Sequence, residues 1–290
     1  MATEAAVFLR SLARGIADTY LEHTRPAAIL LAGSAAAGNA DVYSDLDLIL
    51  YYDRLPSDAT LDDARVAVGA ESWNVVAPRT ETAYIENIFL QSVQCQLGHL
   101  TFRDVEQDIA RLLVELDPAP QLFKVVGGLI EGIPLHGEQL IEGWRATAAY
   151  SDELQRAVIE KHWRFFPLWY FDDHVAARDA LLWRYQILVE AAHNLVAVLA
   201  ATNRLYFSTF QFKRTREFVD RLRISPPRLA DRLEALFTLD AAASAVELER
   251  LVGETRELVA AAVPGIELPL RHEPGTREQP WRLPEAAEER

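Results

Sequence analysis

Leu9, Leu12, Ala13, Ile16 and Tyr20 recur at spacings of three and four, which predicts an amphipathic helix near the start of the chain. Pro26 follows, and the period then changes. Ala27 to Leu31 is a short unbroken apolar run, read as a buried strand, and Leu46 to Tyr52 is a second. Ser57 to Val68 opens with a capping serine and early acids, the signature of a helix start. Trp73 to Val76 reads as a third strand, and Ile88 to Leu90 with Val93 to Thr101 continues the sheet. Phe102 to Leu116 returns to helical spacing.

Strands therefore alternate with helices over the first part of the chain, whereas nearly everything from Glu138 on reads as helix. The candidates there are Val175 to Ala201, Phe212 to Leu222, Pro227 to Phe237 and Ala241 to Val263. Gly127, Gly128 and the stretch from Gly132 to Gly137 look like connectors. The expectation is an α+β protein: residues 1–117 as a sheet with flanking helices, 118–263 as an all-α bundle, and 264–290 as an extended or disordered tail rich in proline and charge.

Composition narrows the picture only in places. The 290 residues carry 29 basic and 43 acidic side chains, a formal net charge of -14. Such a surface repels nucleic acid backbones, so no extended nucleic-acid surface is expected. It suits cationic partners or serves solubility. Cys95 is the only cysteine, in an apolar run, so no internal disulfide or cysteine-based zinc cluster can form and a buried thiol is expected. The start of the chain lacks the apolar core of a signal peptide, and no stretch approaches an uncharged membrane-spanning length, so the expectation is a cytoplasmic protein with no membrane partner. The oligomeric state is not legible.

The candidate chemistry lies in LLAGSAAAGNADVYSDLDLILY, Leu30 to Tyr51. Gly33 and Gly38 have the spacing of a P-loop, but Asn39 and Ala40 stand where a lysine and a hydroxyl residue are required, and a dinucleotide fingerprint lacks its third glycine. What fits is strand, Gly-Ser, turn, then Asp-x-Asp on the next strand. Gly33 permits close approach of backbone to a phosphate, and Ser34 adds a hydroxyl and an N–H. Alternation on a strand points Asp45 and Asp47 the same way, with Leu46 and Leu48 turned to the core. Two carboxylates on one face make a hard oxygen site for Mg²⁺. The competing account is a capped turn: Ser44 and Asp45 tighten a loop and Asp47 is solvated.

These residues resemble the motif of the nucleotidyltransferase superfamily, whose best-known fold is that of DNA polymerase beta: an apolar strand, Gly-Ser, about ten residues, then Asp-x-Asp. The match is specific over Ala27 to Tyr52 and looser to about Thr101. The following helices are similar to those of lincosamide and aminoglycoside nucleotidyltransferases. The resemblance implies a mixed sheet, transfer of a nucleoside monophosphate from an NTP, ATP being the expected one, to a small-molecule hydroxyl acceptor, and one or two Mg²⁺ ions. It implies Asp45 and Asp47 as metal ligands and catalytic residues, and Gly33, Ser34 and Ser44 as nucleotide contacts. A cationic acceptor is suggested by the acidic balance.

One part of the motif is missing. The family usually has a third acid on a later strand, and here Gln96, or failing that Gln94, stands in its place. Glu86 is the nearby acid that would substitute. Otherwise the enzyme works with two acids, or the protein is a nucleotide-binding regulatory module with impaired turnover. A macromolecule-modifying enzyme acting on protein or tRNA is the remaining alternative. In Ala201 to Arg214, Lys213 is a candidate phosphate contact, with helix capping as the competing account. His162, Trp163, Trp169, Tyr170, Asp172, Asp173 and His174 form an aromatic and acidic patch, read as bundle core before acceptor pocket. Trp183, Tyr185, Glu190 and His193 are read the same way, His99 as structural, and Glu131, Glu138 and Glu142 as surface charge.

Overall fold

The computed structural model describes residues 2–117, 119–166, 175 and 178–269. By backbone proximity the chain divides into two compact units, Met1–Ala157 with Arg204–Phe210, and Val158–Asn203 with Gln211–Arg290.

The first unit opens with α1 (Glu4–Thr24), capped by the Thr3 hydroxyl on the Ala6 N–H. Then come β1 (Ala28–Ala32), a one-turn helix α2 (Gly33–Ala37), β2 (Leu46–Tyr52) and α3 (Asp58–Ala67). β3 (Ser72–Ala77), β4 (Ala83–Leu90), β5 (Val93–Thr101) and α4 (Phe102–Leu113) follow, then α5 (Pro120–Glu131), β6 (Ile133–His136) and α6 (Glu138–Thr147). The six strands form one mixed sheet in the order β3-β4-β5-β2-β1-β6. β2 and β5 run parallel, and the other neighbours are antiparallel.

The alternation in β2 decides how the sheet is used. Leu46, Leu48 and Leu50 are fully buried against α1 and α3, in a core with Leu9, Ile16, Tyr20, Leu61, Ile88 and Leu97. Each such leucine contributes about 1.5–3 kcal/mol through burial. Asp47 and Ile49 turn to the opposite face and are half-buried. That face is covered at its far end, where Trp144 packs on Tyr51 with ring centroids 4.9 Å apart. The covering leaves the Asp47 end less enclosed.

Helix and strand assignments agree with the pattern in the sequence over α1, β1, β2, α3, β3, β5 and α4, while β4, expected only over Ile88 to Leu90, opens five residues earlier at Ala83. Other stretches differ. Gly127 and Gly128, expected in a connector, lie inside α5, where neither has a positive φ. Gly132 to Gly137, expected as a connector, contains β6, so the sheet runs beyond the boundary expected at residue 117. Four residues including a proline at a sheet edge give too short a pattern to read. Phe212 to Leu222, expected as one helix, is a 3-10 helix (Thr209–Arg214) followed by a short α-helix (Thr215–Val219).

The second unit holds helices Leu181–Thr202, Leu229–Ala235 and Ala241–Ala262. The first of these opens later than expected. It is the one helix among the described residues long and apolar enough to cross a membrane, and it is mostly buried within the protein. The tail expected from residue 264 on lies outside the described residues from 270.

Candidate functional site

The turn between β1 and β2 is built by glycine and held by α1. Gly33 has φ +64° and Gly38 φ +83°, a region that costs an L side chain strain. A Cβ on Gly33 would overlap Oδ2 of Asp47. The Asp47 carboxylate therefore lies directly against the Gly33 backbone, across the β1–β2 pair where Ala32 and Asp47 are register partners. Ser34 closes α2 through its carbonyl, which accepts from the N–H groups of Gly38 at 2.9 Å and Asn39 at 3.2 Å. Its hydroxyl bonds to none of the described residues, and the side chain is half-buried.

Two residues of the α1 region fix this turn, and neither stood out in the sequence. Arg10 donates through Nε to the Ala35 carbonyl and through Nη2 to the Ala36 carbonyl, both at 2.8 Å. Thr3 donates through its backbone N–H to Gly38 O at 3.0 Å and through its hydroxyl to Ala40 O at 2.6 Å. Arg10 shares a helix with Leu9, Leu12 and Ile16, so its only signal was a charge flanking an apolar stripe.

Ser44 takes the role of the competing account. Its hydroxyl donates to Asp41 Oδ1 at 3.2 Å and accepts from the Asp41 N–H at 3.0 Å, tightening the loop before β2. Asp45, which follows, is exposed and bonds to none of the described residues. Asp47 is two residues on, the second residue of β2, and Asp45 lies in the loop just before the strand.

Strand register extends this face across the sheet. Asp47 pairs with Gln96 on β5, Gln96 with Asn87 on β4, and Asn87 with Asn74 on β3. Register partners share a face, so one carboxylate and three carboxamides form a cross-strand row. Asn87 is buried, and its Oδ1 has no hydrogen-bond partner. Asn87 and Asn74 were missed from sequence. Gln96 falls beside Asp47 as the motif expects, half-buried and bonded to none of the described residues. Gln94 lies two residues along β5, paired with Phe89.

Glu86 does not join them, which corrects its place as the substitute acid. It pairs with Leu97 and turns to the opposite face, where it is fully buried. There it accepts from Arg65 Nε at 2.7 Å and meets His99 Nε2 at 3.1 Å. His99 Nδ1 lies 3.1 Å from the Tyr52 hydroxyl, and its ring is flanked by Tyr20, Tyr52 and Tyr84. Burial pushes Glu86 upward, but His99 and Arg65 outweigh it and hold the carboxyl below its ordinary range. Burial holds His99 below its ordinary value, against the opposing pull of Glu86. His99 is thus structural, on the far side of the sheet from Gln96. Cys95 is buried, and burial, with Asp45 nearby, pushes its thiol up to about 12.

Lys213 lies in the second unit, near the end of the 3-10 helix. His162 and Trp163 are packed: His162 Nδ1 is 2.9 Å from Asn194 Oδ1, and its ring meets His193 edge-on. Burial lowers His162 to about 4. Trp169, Tyr170, Asp172, Asp173 and His174 lie outside the described residues.

The donor set fits a hard divalent cation. It offers two carboxylates, with a carboxamide oxygen of Gln96 in register beside them, and Mg²⁺ ordinarily takes one or two carboxylates and keeps water on its other positions. Among the described residues no group of three or more His, Cys, Asp or Glu is placed to hold a metal.

No protein-family model matches the chain, and no curated protein matches it in sequence. Among solved structures it is similar to a nucleotidyltransferase-like protein from Exiguobacterium sibiricum, with 12% identity over 85% of this chain and 74% of that one and a TM-score of 0.36. It is also similar to Cid1, solved in complex with its short product ApU, with 14% identity over 69% of this chain and 50% of that one and a TM-score of 0.26. Likenesses this distant carry no weight for the chemistry, which has to come from the residues.

Proposed function

We propose that the first unit is a Mg²⁺-dependent nucleotidyltransferase, moving a nucleoside monophosphate from an NTP to the hydroxyl of a small acceptor and releasing pyrophosphate. The observation that carries this reading is the packing of the Asp47 carboxylate against the Gly33 backbone, with Asp45 exposed in the loop that leads into β2 two residues before it. One turn of backbone would thus hold triphosphate oxygens next to the carboxylates that hold the metal.

Asp45 and Asp47 would bind Mg²⁺, which supplies charge neutralisation at the phosphates when bound. Gly33 leaves room at its backbone for the Asp47 carboxylate, and the Ser34 hydroxyl is available to donate to phosphate oxygens next to it. The acceptor oxygen bonds to the α-phosphorus, the bond from that phosphorus to the β-bridging oxygen breaks, and pyrophosphate leaves. Gln96 cannot take the acceptor proton, because a carboxamide has no basic site near neutral pH. The proton passes to one of the two aspartates or to water. The acidic balance of the chain favours a cationic acceptor such as an amino sugar.

A second reading is favoured by Gln96 itself: a module that binds nucleotide and turns it over slowly, its site one negative charge short. The two readings separate with each NTP labelled at the α-phosphate, Mg²⁺, and a panel of aminoglycoside, lincosamide, protein and tRNA acceptors. Label transfer to an acceptor that disappears in Asp45→Asn/Asp47→Asn supports the transferase and identifies donor and acceptor together. Mg²⁺-dependent NTP binding without transfer to any of them supports the module. Absence of both sinks the reading of the site.

A further inference from the structure

A second place in the first unit has the character of a binding site, on the opposite face and at the opposite end of the sheet. Where β2 and β5 end, a cavity of about 450 Å³ is lined by Asp53, Arg54, Leu55, Arg79–Thr82, Thr101 and Arg103. Thr101 is the register partner of Tyr52, five residues along the strands from the Asp47–Gln96 pair. That is about 16 Å at the usual rise per residue.

The lining reverses the balance of the chain. Acids outnumber bases 43 to 29 overall, but three arginines stand here against Asp53 and Glu81. Two of the arginines are shaped by neighbours. Arg79 lies over the Tyr84 ring, 5.2 Å from its centroid, and pairs with Asp58 at 2.8 Å. Arg54 makes a 4.0 Å contact with Asp53, both nearly fully exposed, a pair of small energetic worth. Arg103 is exposed and pairs with no acid among the described residues.

Thr101 forms part of the wall. It is 5% exposed, and its hydroxyl has no hydrogen-bond partner. It also occupies the N-cap of α4, yet its side chain accepts from none of the helix's first N–H groups. A threonine at that position ordinarily spends its oxygen on them. The neighbouring hydroxyls are used: Thr82 donates to Asp104 at 3.0 Å, and Thr80 accepts from the Ala83 N–H at 2.9 Å. A buried unpartnered hydroxyl beside a helix start and unneutralised guanidinium is the arrangement an anion would complete.

We propose that this cavity binds the phosphate group of a small phosphorylated molecule, held by Arg103, Arg79 and the Thr101 hydroxyl at the start of α4. The volume exceeds what a bare phosphate fills, and Leu55 supplies an apolar wall for an organic body. The site is independent of the catalytic proposal, since it uses neither Asp45 nor Asp47.

The test is calorimetric titration of the full chain with inorganic pyrophosphate and with phenyl phosphate, in EDTA, with citrate as the carboxylate control. Saturable binding of a phosphate probe is expected, weakened about tenfold in Arg103→Ala and severalfold in Thr101→Val, and unchanged in Asp45→Asn. Thr101→Val should melt no lower than wild type, because it removes an unpaired buried hydroxyl. Failure of both probes to saturate the protein would overturn the site. So would binding that ignores Arg103→Ala and Thr101→Val, or that is lost in Asp45→Asn. Citrate binding as tightly as the phosphates would overturn the assignment to phosphate.

Discussion

Two polar clusters of the sheet, one around Glu86 and one around Asp47, treat their polar groups in opposite ways. On the face toward α1 and α3, Glu86 is fully buried yet bonded to Arg65 and His99, with Tyr20 and Tyr84 at longer range. Arg65 also bonds Asp62 and lies under the Trp73 ring. Around Asp47, the neighbouring Asp45, Ser34 and Gln96 bond to none of the described residues, and Asn87, in the same cross-strand row, buries an oxygen without a donor. Buried polar groups are ordinarily paired, since an unpaired one costs about 1–3 kcal/mol. The charged cluster with complete partners therefore reads as structure, and the cluster with open valences as a place prepared for something else. Titratable residues alone point to Glu86, His99 and Arg65, which spend their polar atoms on one another, rather than to Asp45 and Gln96.

That contrast can be broken by mutation on each side. The largest expected effect is on activity: Asp45→Asn should lower transfer by about 10³-fold while leaving the melting temperature within about 2 °C, since Asp45 is exposed and unbonded. Transfer assays paired with thermal melts check it, and a large fall in melting temperature would place Asp45 with the structural residues. Glu86→Gln should do the reverse. It strands Arg65 in the core, a loss of about 3–5 kcal/mol, or a fall of about 10 °C. The protein that remains folded should keep its Mg²⁺-dependent nucleotide affinity.

Gly33→Ala should lower transfer by about 10²-fold, since the new methyl forces Asp47 away from the backbone and the residue must also hold a positive φ. Gln96→Asp should tighten Mg²⁺ binding several-fold by adding a charge next to Asp47. An unchanged metal affinity would mean that residue 96 does not reach the ion.

The smallest effect is on pH dependence, and it belongs to the structural face. His99 is depressed below its ordinary 6.5, so it is buried neutral. As pH falls below about 6.5 the unfolded chain takes up this proton first, and stability declines. Glu86 is depressed below its ordinary 4.5, so its contribution is full above that value and is lost as pH falls through its folded value. Both shifts therefore cost stability toward acid. Melts from pH 8 to 4 should show a decline beginning near the histidine range, and His99→Gln should flatten its first part.

Much of this was legible from spacing. The alternation Leu46, Asp47, Leu48 puts two leucines in the core and the carboxylate between them on the other face, because a strand has period two. Gln96 could be placed for the same reason, in SVQCQLGHLTF. The face of Glu86 could not. In AYIENIFL both alternating sets are largely apolar, and only the pairing of β4 with β5 decides that Glu86 sits with Leu97 and Asn87 with Gln96. Arg10 and Thr3 were hidden because they act through backbone carbonyls some 25 to 37 residues away in sequence. Ser44 carried two readings in the sequence, and its bonds to Asp41 give the turn.

The most direct measurement is calorimetric binding of ATP and the other NTPs, with and without Mg²⁺, to wild type, Asp45→Asn/Asp47→Asn and Glu86→Gln. Mg²⁺-dependent binding is expected in wild type and in folded Glu86→Gln, and its loss in the double aspartate variant. Equal binding in wild type and the double variant, or binding lost only when Glu86 is replaced, would contradict the assignment of the two clusters.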